Sequence, residues 1–179
     1  MSESYMVVLL VEQALSAADA AQVISLHEEL DETVVHHVLL PMEDAAARIE
    51  AAMGSLSGPE TMSSPAAMIS DEDLEAVRED AKEQSDDALT TTLAVLTRAG
   101  ATATGEVVHD DPISALTDAV RRLDGREAII LTRSHVVAEF FHLDWTSRAR
   151  RKIGVPVLHL LEHENFDEQA GSGEGVTGL

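Results

Sequence analysis

The sequence predicts an α/β protein with a parallel sheet covered by helices on both faces. Three observations predict it. Five short strand-like runs, at 6–11, 33–40, 103–108, 127–131 and 155–161, alternate with segments of helical character. The first run, Met6-Val-Val-Leu-Leu-Val11, is apolar without interruption, as a strand covered on both faces must be. The segments between the runs carry helix punctuation: Ser16, Ser70 with Asp73, and Asp111-Pro112 as starts, Gly100 and Gly154 as stops.

Taken in order, Met6–Val11 is the first strand, and Ser16 caps a helix of period 3.6 that ends near Leu30. Thr33–Leu40 is the second strand, stopped by Pro41. Its neighbouring His36 and His37 must point to opposite faces, because side chains alternate along a strand. Glu43–Ala52 reads as helical. Residues 54–70 are rich in Gly, Ser and Pro and read as a mobile surface insertion. A capping box at Ser70 and Asp73 opens a long helix to about Arg98, where Ala99-Gly100 stops it. Ala103–Val108 is the third strand, Asp111-Pro112 opens a helix through Leu123, and Glu127–Leu131 is the fourth strand. Thr146–Ile153 is the last helix and Val155–Leu161 the fifth strand. The polar, glycine-rich 164–179 reads as a disordered tail, leaving one domain over 1–163.

Composition narrows the function classes. With 179 residues, 45% of them hydrophobic but only 3% aromatic, the core must be built from aliphatic side chains. No cysteine is present, which excludes disulfides and thiolate metal sites. No run reaches the ~20 apolar residues that span a bilayer, and Met1–Tyr5 lacks a basic leader, so a soluble cytoplasmic protein is expected. The net charge of −21 makes an acidic protein that repels nucleic acid and anionic membranes. Eight of the twelve basic residues nevertheless fall in 121–152 against four acids, a net +4 island that leaves −25 elsewhere. That island is either an anion site or a set of arginines paired with the acidic surface.

The connection after the fourth strand, Thr132 to Trp145, contains no glycine. It leaves the carboxyl end of a buried strand, where open α/β sheets bind phosphates and where glycine lets the backbone come close. Here it carries Arg133, His135, His142 and three of the chain's five aromatics, Phe140, Phe141 and Trp145, instead. The aromatics read as a hydrophobic plug on the sheet end, or as a stacking platform.

From Gly105 to Leu161 the chain runs Gly-Glu-Val-Val-His-Asp-Asp-Pro-Ile-Ser-Ala-Leu, then Glu-Ala-Ile-Ile-Leu-Thr-Arg-Ser-His, then Gly-Val-Pro-Val-Leu-His-Leu. This order of strand, Asp-Pro helix opener, strand, loop and closing strand resembles the universal stress protein family over most of 5–163. The resemblance implies a five-stranded parallel sheet in the order 3-2-1-4-5, Rossmann-like and adenine-nucleotide alpha-hydrolase-like. It also implies a homodimer through the last strand, Val155–Leu161. Nucleotide-binding members resemble one another in a Gly-x2-Gly-x9-Gly-Ser/Thr loop and an aspartate after the first strand. By spacing, the three glycines fall on Thr132, His135 and Trp145, the hydroxyl on Thr146 and the aspartate on Glu12. A hydroxyl and a carboxylate are kept and all three glycines are replaced, which resembles the branch of the family that does not bind ATP.

The candidate ligand-binding residues are therefore Glu12, Thr132, Arg133, Ser134, His135, Thr146 and Ser147. Glu12 suits a ribose or base contact, or a carboxylate near a helix start. Thr146 and Ser147 suit an anion at a helix N-terminus, or simple capping. Arg133 offers a planar fork of donors for a phosphate, or a surface charge. His109, His135 and His142 near strand ends could bind zinc or respond to pH; no close ligand pair supports a metal site, and no metal is expected. His159 and His163 mark the dimer edge. No nucleophile–base pair or cofactor fingerprint stands out, so no catalytic residues are assigned and no cofactor is expected. The sequence thus predicts a non-enzymatic, universal-stress-like regulatory or stress-response protein. The alternatives are a binder of a nucleotide or other small anionic ligand and, third, a hydrolase of a phosphorylated substrate.

Overall fold

A computed structural model describes residues 4–42, 71–109, 111–132 and 151–162. Within them the elements are β1 (Tyr5–Val11), α1 (Ala17–Ser25), β2 (Val34–Pro41), α2 (Asp71–Arg98), β3 (Thr102–Val108), α3 (Pro112–Arg122), β4 (Glu127–Thr132) and β5 (Val157–Leu161). The five strands form one sheet in the order β3-β2-β1-β4-β5, and every pairing is parallel.

Alternation along the central strands splits the core in two. Val7, Leu9 and Val11 of β1, with Val38, Ile129 and Leu131, pack beneath Ala20 and Val23 of α1 and Leu96 of α2. Val8 and Leu10, with Leu39, Ala128 and Ile130, pack beneath Leu116, Ala119 and Val120 of α3 and Ile153. Each such side chain removed from water contributes about 1.5–3 kcal/mol before chain entropy is set against it. The uninterrupted apolar reading of β1 and β4 thus has its cause: both lie inside the sheet with helices above and below.

Local signals explain the element ends. Ser16 caps α1 in a reciprocal box, with its Oγ accepting from Asp19 N (3.2 Å) and Asp19 Oδ2 accepting from Ser16 N (3.0 Å). Asp111 Oδ2 accepts from Ser114 N (2.8 Å), and Pro112 opens α3. Gly100 ends α2 in the left-handed region at φ 97°, which a side chain would strain. Gly105 is required for another reason: a Cβ there would stand 2.7 Å from the Val38 carbonyl of the adjoining strand.

Several boundaries differ from the sequence reading. Helix α1 stops at Ser25, not near Leu30, and the chain continues in tight turns closed by His27 N→Ile24 O and Leu30 N→His27 O. Leu26 still packs on the core, but Leu30 is 40% exposed, so the apolar period is not used for packing beyond Leu26; His27 turns inward. β2 includes Pro41, which sits beyond the last β1 pairing, Leu10↔Leu39, where one missing N–H costs no ladder bond to β1. β5 begins at Val157 instead of Val155, the Pro156 carbonyl accepting from Ala128 N before the strand starts. The helix expected over Glu43–Ala52, the 54–70 insertion, the Ser70 cap and the 164–179 tail lie outside the described residues.

Candidate functional site

In a parallel sheet all carboxyl ends gather along one edge. Connections leaving to opposite sides of β1 open a crevice there, because β1 lies between β2 and β4. Four residues at or just beyond the strand ends, Glu12, Gln13, Thr132 and Glu162, gather at this edge. Glu12 follows Val11, and Thr132 ends β4; with Val11 paired to Leu131, the two candidates stand side by side in the next register position. Glu12 N donates to the Leu131 carbonyl at 3.3 Å. Beyond β5, Glu162 N donates to the Thr132 carbonyl at 2.9 Å, and the Glu162 residue is only 5% exposed.

Two side-chain bonds then bridge the edge. Gln13 Nε2 donates to Glu162 Oε2 at 2.5 Å, so a residue following β1 reaches one following β5 across the end of the intervening β4. Thr132 Oγ1 and His159 Nε2 lie 2.8 Å apart and share a hydrogen bond. Burial lowers the His159 pKa and favours the neutral imidazole, which can then donate or accept. Behind the edge, Leu15 N donates to Thr92 Oγ1 at 3.1 Å, fastening the β1–α1 connection to α2.

Solved structures share this architecture at low sequence identity. A universal stress protein family protein of Arabidopsis thaliana, crystallised with AMP bound, is 14% identical, with 91% of this chain and 94% of that one covered at a TM-score of 0.51. Universal stress protein UspA from Lactobacillus plantarum is 14% identical, covering 90% of this chain and 99% of that one at 0.51. The chain has the universal stress protein fold.

The expected 3-2-1-4-5 order of the universal stress fold is the observed one. No family model and no curated protein matches the sequence.

On this universal stress fold the structure brings Glu12 and Thr132 together, while Arg133, Ser134, His135, Thr146 and Ser147 lie outside the described residues, as do His142 and the aromatic loop. His109 follows β3, three strand spacings from β4, or about 14 Å. Among the described residues no group of three His, Asp or Glu is placed to hold a metal ion. No helix among them is long and apolar enough to cross a membrane. Within the basic island, Arg126 pairs with Glu32 (2.9 Å) and Arg122 with Glu106, so these two arginines meet the acidic surface.

Sequence reading missed Gln13 and Glu162, and it did not foresee that the His159 ring, on the expected dimer strand, bonds Thr132. A signal for Glu162 was present. It follows the apolar run of β5 as Glu12 follows that of β1, and residues one step past a buried parallel strand face the crevice.

Proposed function

We propose that this chain is a universal-stress-type protein that acts as a non-enzymatic regulatory or stress-response module in the cytoplasm and does not bind ATP in the family manner. The observation that carries the reading is the Gln13–Glu162 bond across the end of β4. The protein's own side chains lie over the strand end where a phosphate chain would approach, and one of them is a buried carboxylate. The glycine-free sequence after Thr132 supports it, since backbone amides can cradle phosphates only where side chains leave room. We further propose a homodimer through Val155–Leu161. Half-exposed Val157 and Leu158 on an edge strand favour that surface.

A second reading is a small-anion or nucleotide binder using Glu12, Thr132, Arg133, Ser134, His135, Thr146 and Ser147. The AMP-bound Arabidopsis structure of the same fold favours it. A thermal-shift series with ATP, AMP and cyclic AMP separates the two, because a ligand at a hundred times its Kd adds about 2.7 kcal/mol of stability. An unmoved midpoint supports the first reading; a saturable rise with any of the three establishes the second. Gel filtration at micromolar concentration tests the dimer, and a clean monomer there refutes it.

A further inference from the structure

The opposite edge of the sheet holds a titratable cluster that the candidate site does not use. His36 of β2 is 2% exposed, and neither ring nitrogen has a hydrogen-bond partner. His27, in the connection between α1 and β2, packs its ring edge-on to His36 with centroids 6.0 Å apart. Its Nε2 lies 3.3 Å from Glu127 Oε2, and its buried Nδ1 has no partner. The same Glu127 oxygen accepts from Tyr5 Oη at 3.1 Å.

The connection 26–33 is fastened to the sheet at three points. These are His27 to Glu127, Glu32 to Arg126 at 2.9 Å, and the Thr33 carbonyl to Tyr5 N at 2.9 Å. Arg126 also covers the Tyr5 ring, 4.8 Å from its centroid. From β3 the pocket receives the Thr102 backbone. From α2 this face of the core receives apolar Leu89, Leu93, Val95 and Leu96, while Arg98, the basic residue of its last turn, is exposed. Glu28 and Glu29 of the connection are exposed too.

We propose that His27, His36 and Glu127 form an acid-released latch that holds the 26–33 connection on the amino end of the sheet. Charge counting carries the argument. One carboxylate faces two imidazoles, so it compensates a single imidazolium. A second, 6.0 Å away in a pocket without water-facing nitrogens, faces like charge and desolvation together. Swinging the connection out hydrates both rings and costs the core only the half-buried Leu26 from this segment. Burial first, and the His27 charge second, hold the His36 pKa at about 4 against an ordinary 6.5, the Thr102 backbone acting in the opposite sense. If the released state restores the ordinary value, its population relative to the closed state rises about twentyfold between pH 7 and pH 5.

Native-state hydrogen exchange on the full chain tests this, following the amides of His27, Leu30 and Tyr5, which are bonded in the closed connection. After correction for intrinsic rates, their protection should fall about twentyfold from pH 7 to pH 5, while amides of β1 beyond Tyr5 and of β4 keep theirs. In His36→Leu the fall should shrink or vanish; in Glu127→Gln, which leaves no carboxylate to compensate either imidazolium, it should become larger. A fall shared equally by the core strands, or unchanged in His36→Leu, overturns the latch. Should His36→Leu not fold, wild-type histidine NMR decides. Exchange broadening confined to 26–33 as the rings protonate supports release, and ring protonation without it refutes release.

Discussion

The two ends of the sheet treat polar side chains in opposite ways. At the carboxyl end, Gln13 with Glu162 and Thr132 with His159 are matched pairs, each polar group meeting another across a strand end. At the amino end, Tyr5, His27 and His36 gather round one carboxylate, Glu127, and the deepest member makes no hydrogen bond. Topology accounts for the difference. Connections diverge from the carboxyl ends and leave a crevice, whereas at the amino end the 26–33 connection folds back over the strands. Buried titratable groups therefore sit differently by location: paired across strand ends at the open end, gathered round one carboxylate at the closed one. The pair His36 and His37 restates this across the sheet faces. His37 has Thr104 Oγ1 at 2.9 Å and Glu106 Oε1 at 3.1 Å, while its neighbour has neither.

Acid should separate the ends most strongly. Folded His36 stays neutral down to about pH 4, whereas the unfolded chain takes up its proton near 6.5. The contribution of this group is complete above 6.5, declines as pH falls, and levels off below about 4, for a total of about 3 kcal/mol. Urea unfolding at pH 7 and pH 4.5 should show this loss in the wild type and much less of it in His36→Leu; equal losses would erase the contrast. Next, Glu127→Ala should cost about 2 kcal/mol at pH 7, since it strips the acceptor from both Tyr5 Oη and His27 Nε2. At the carboxyl end, Gln13→Ala and Thr132→Val should each cost about 1 kcal/mol in the same assay, as each removes one hydrogen bond from a part-buried pair. Smallest, Arg122→Ala should change stability by less than about 1 kcal/mol, because its pair with Glu106 is exposed. It should still make Glu106 easier to protonate. Burial alone would raise the Glu106 pKa; its bonds to His37 and Arg122 outweigh that and hold it low, so its stabilisation is present at neutral pH and lost as acid protonates it.

The strands were legible because burial on both faces writes itself as uninterrupted aliphatic runs, and Met6–Val11 and Glu127–Leu131 differ from the observed β1 and β4 by only one residue at either end. Ser16 and Asp111 were legible because a cap needs one side chain at one position. The end of α1 was not, since Leu26 and Leu30 continue the helical period while tertiary pairing of His27 with Glu127, a hundred residues away, decides where the chain turns. Of the site, Glu12 and Thr132 could be placed by register with the strand ends. The Gln13–Glu162 bond could not, because it joins residues 149 apart whose meeting depends on β4 lying between β1 and β5. The opposite facing of His36 and His37 followed from alternation alone. Their unequal partners depended on which strand supplied Thr104 and Glu106.

Isothermal titration of the full chain with magnesium-ATP tests the carboxyl end most directly. With Gln13 and Glu162 joined across the end of β4, no saturable heat should appear up to about 1 mM nucleotide, corresponding to binding no better than about −4 kcal/mol. A single-site isotherm with a Kd near 1 μM, about −8 kcal/mol, would contradict the account and make this crevice a nucleotide site after all.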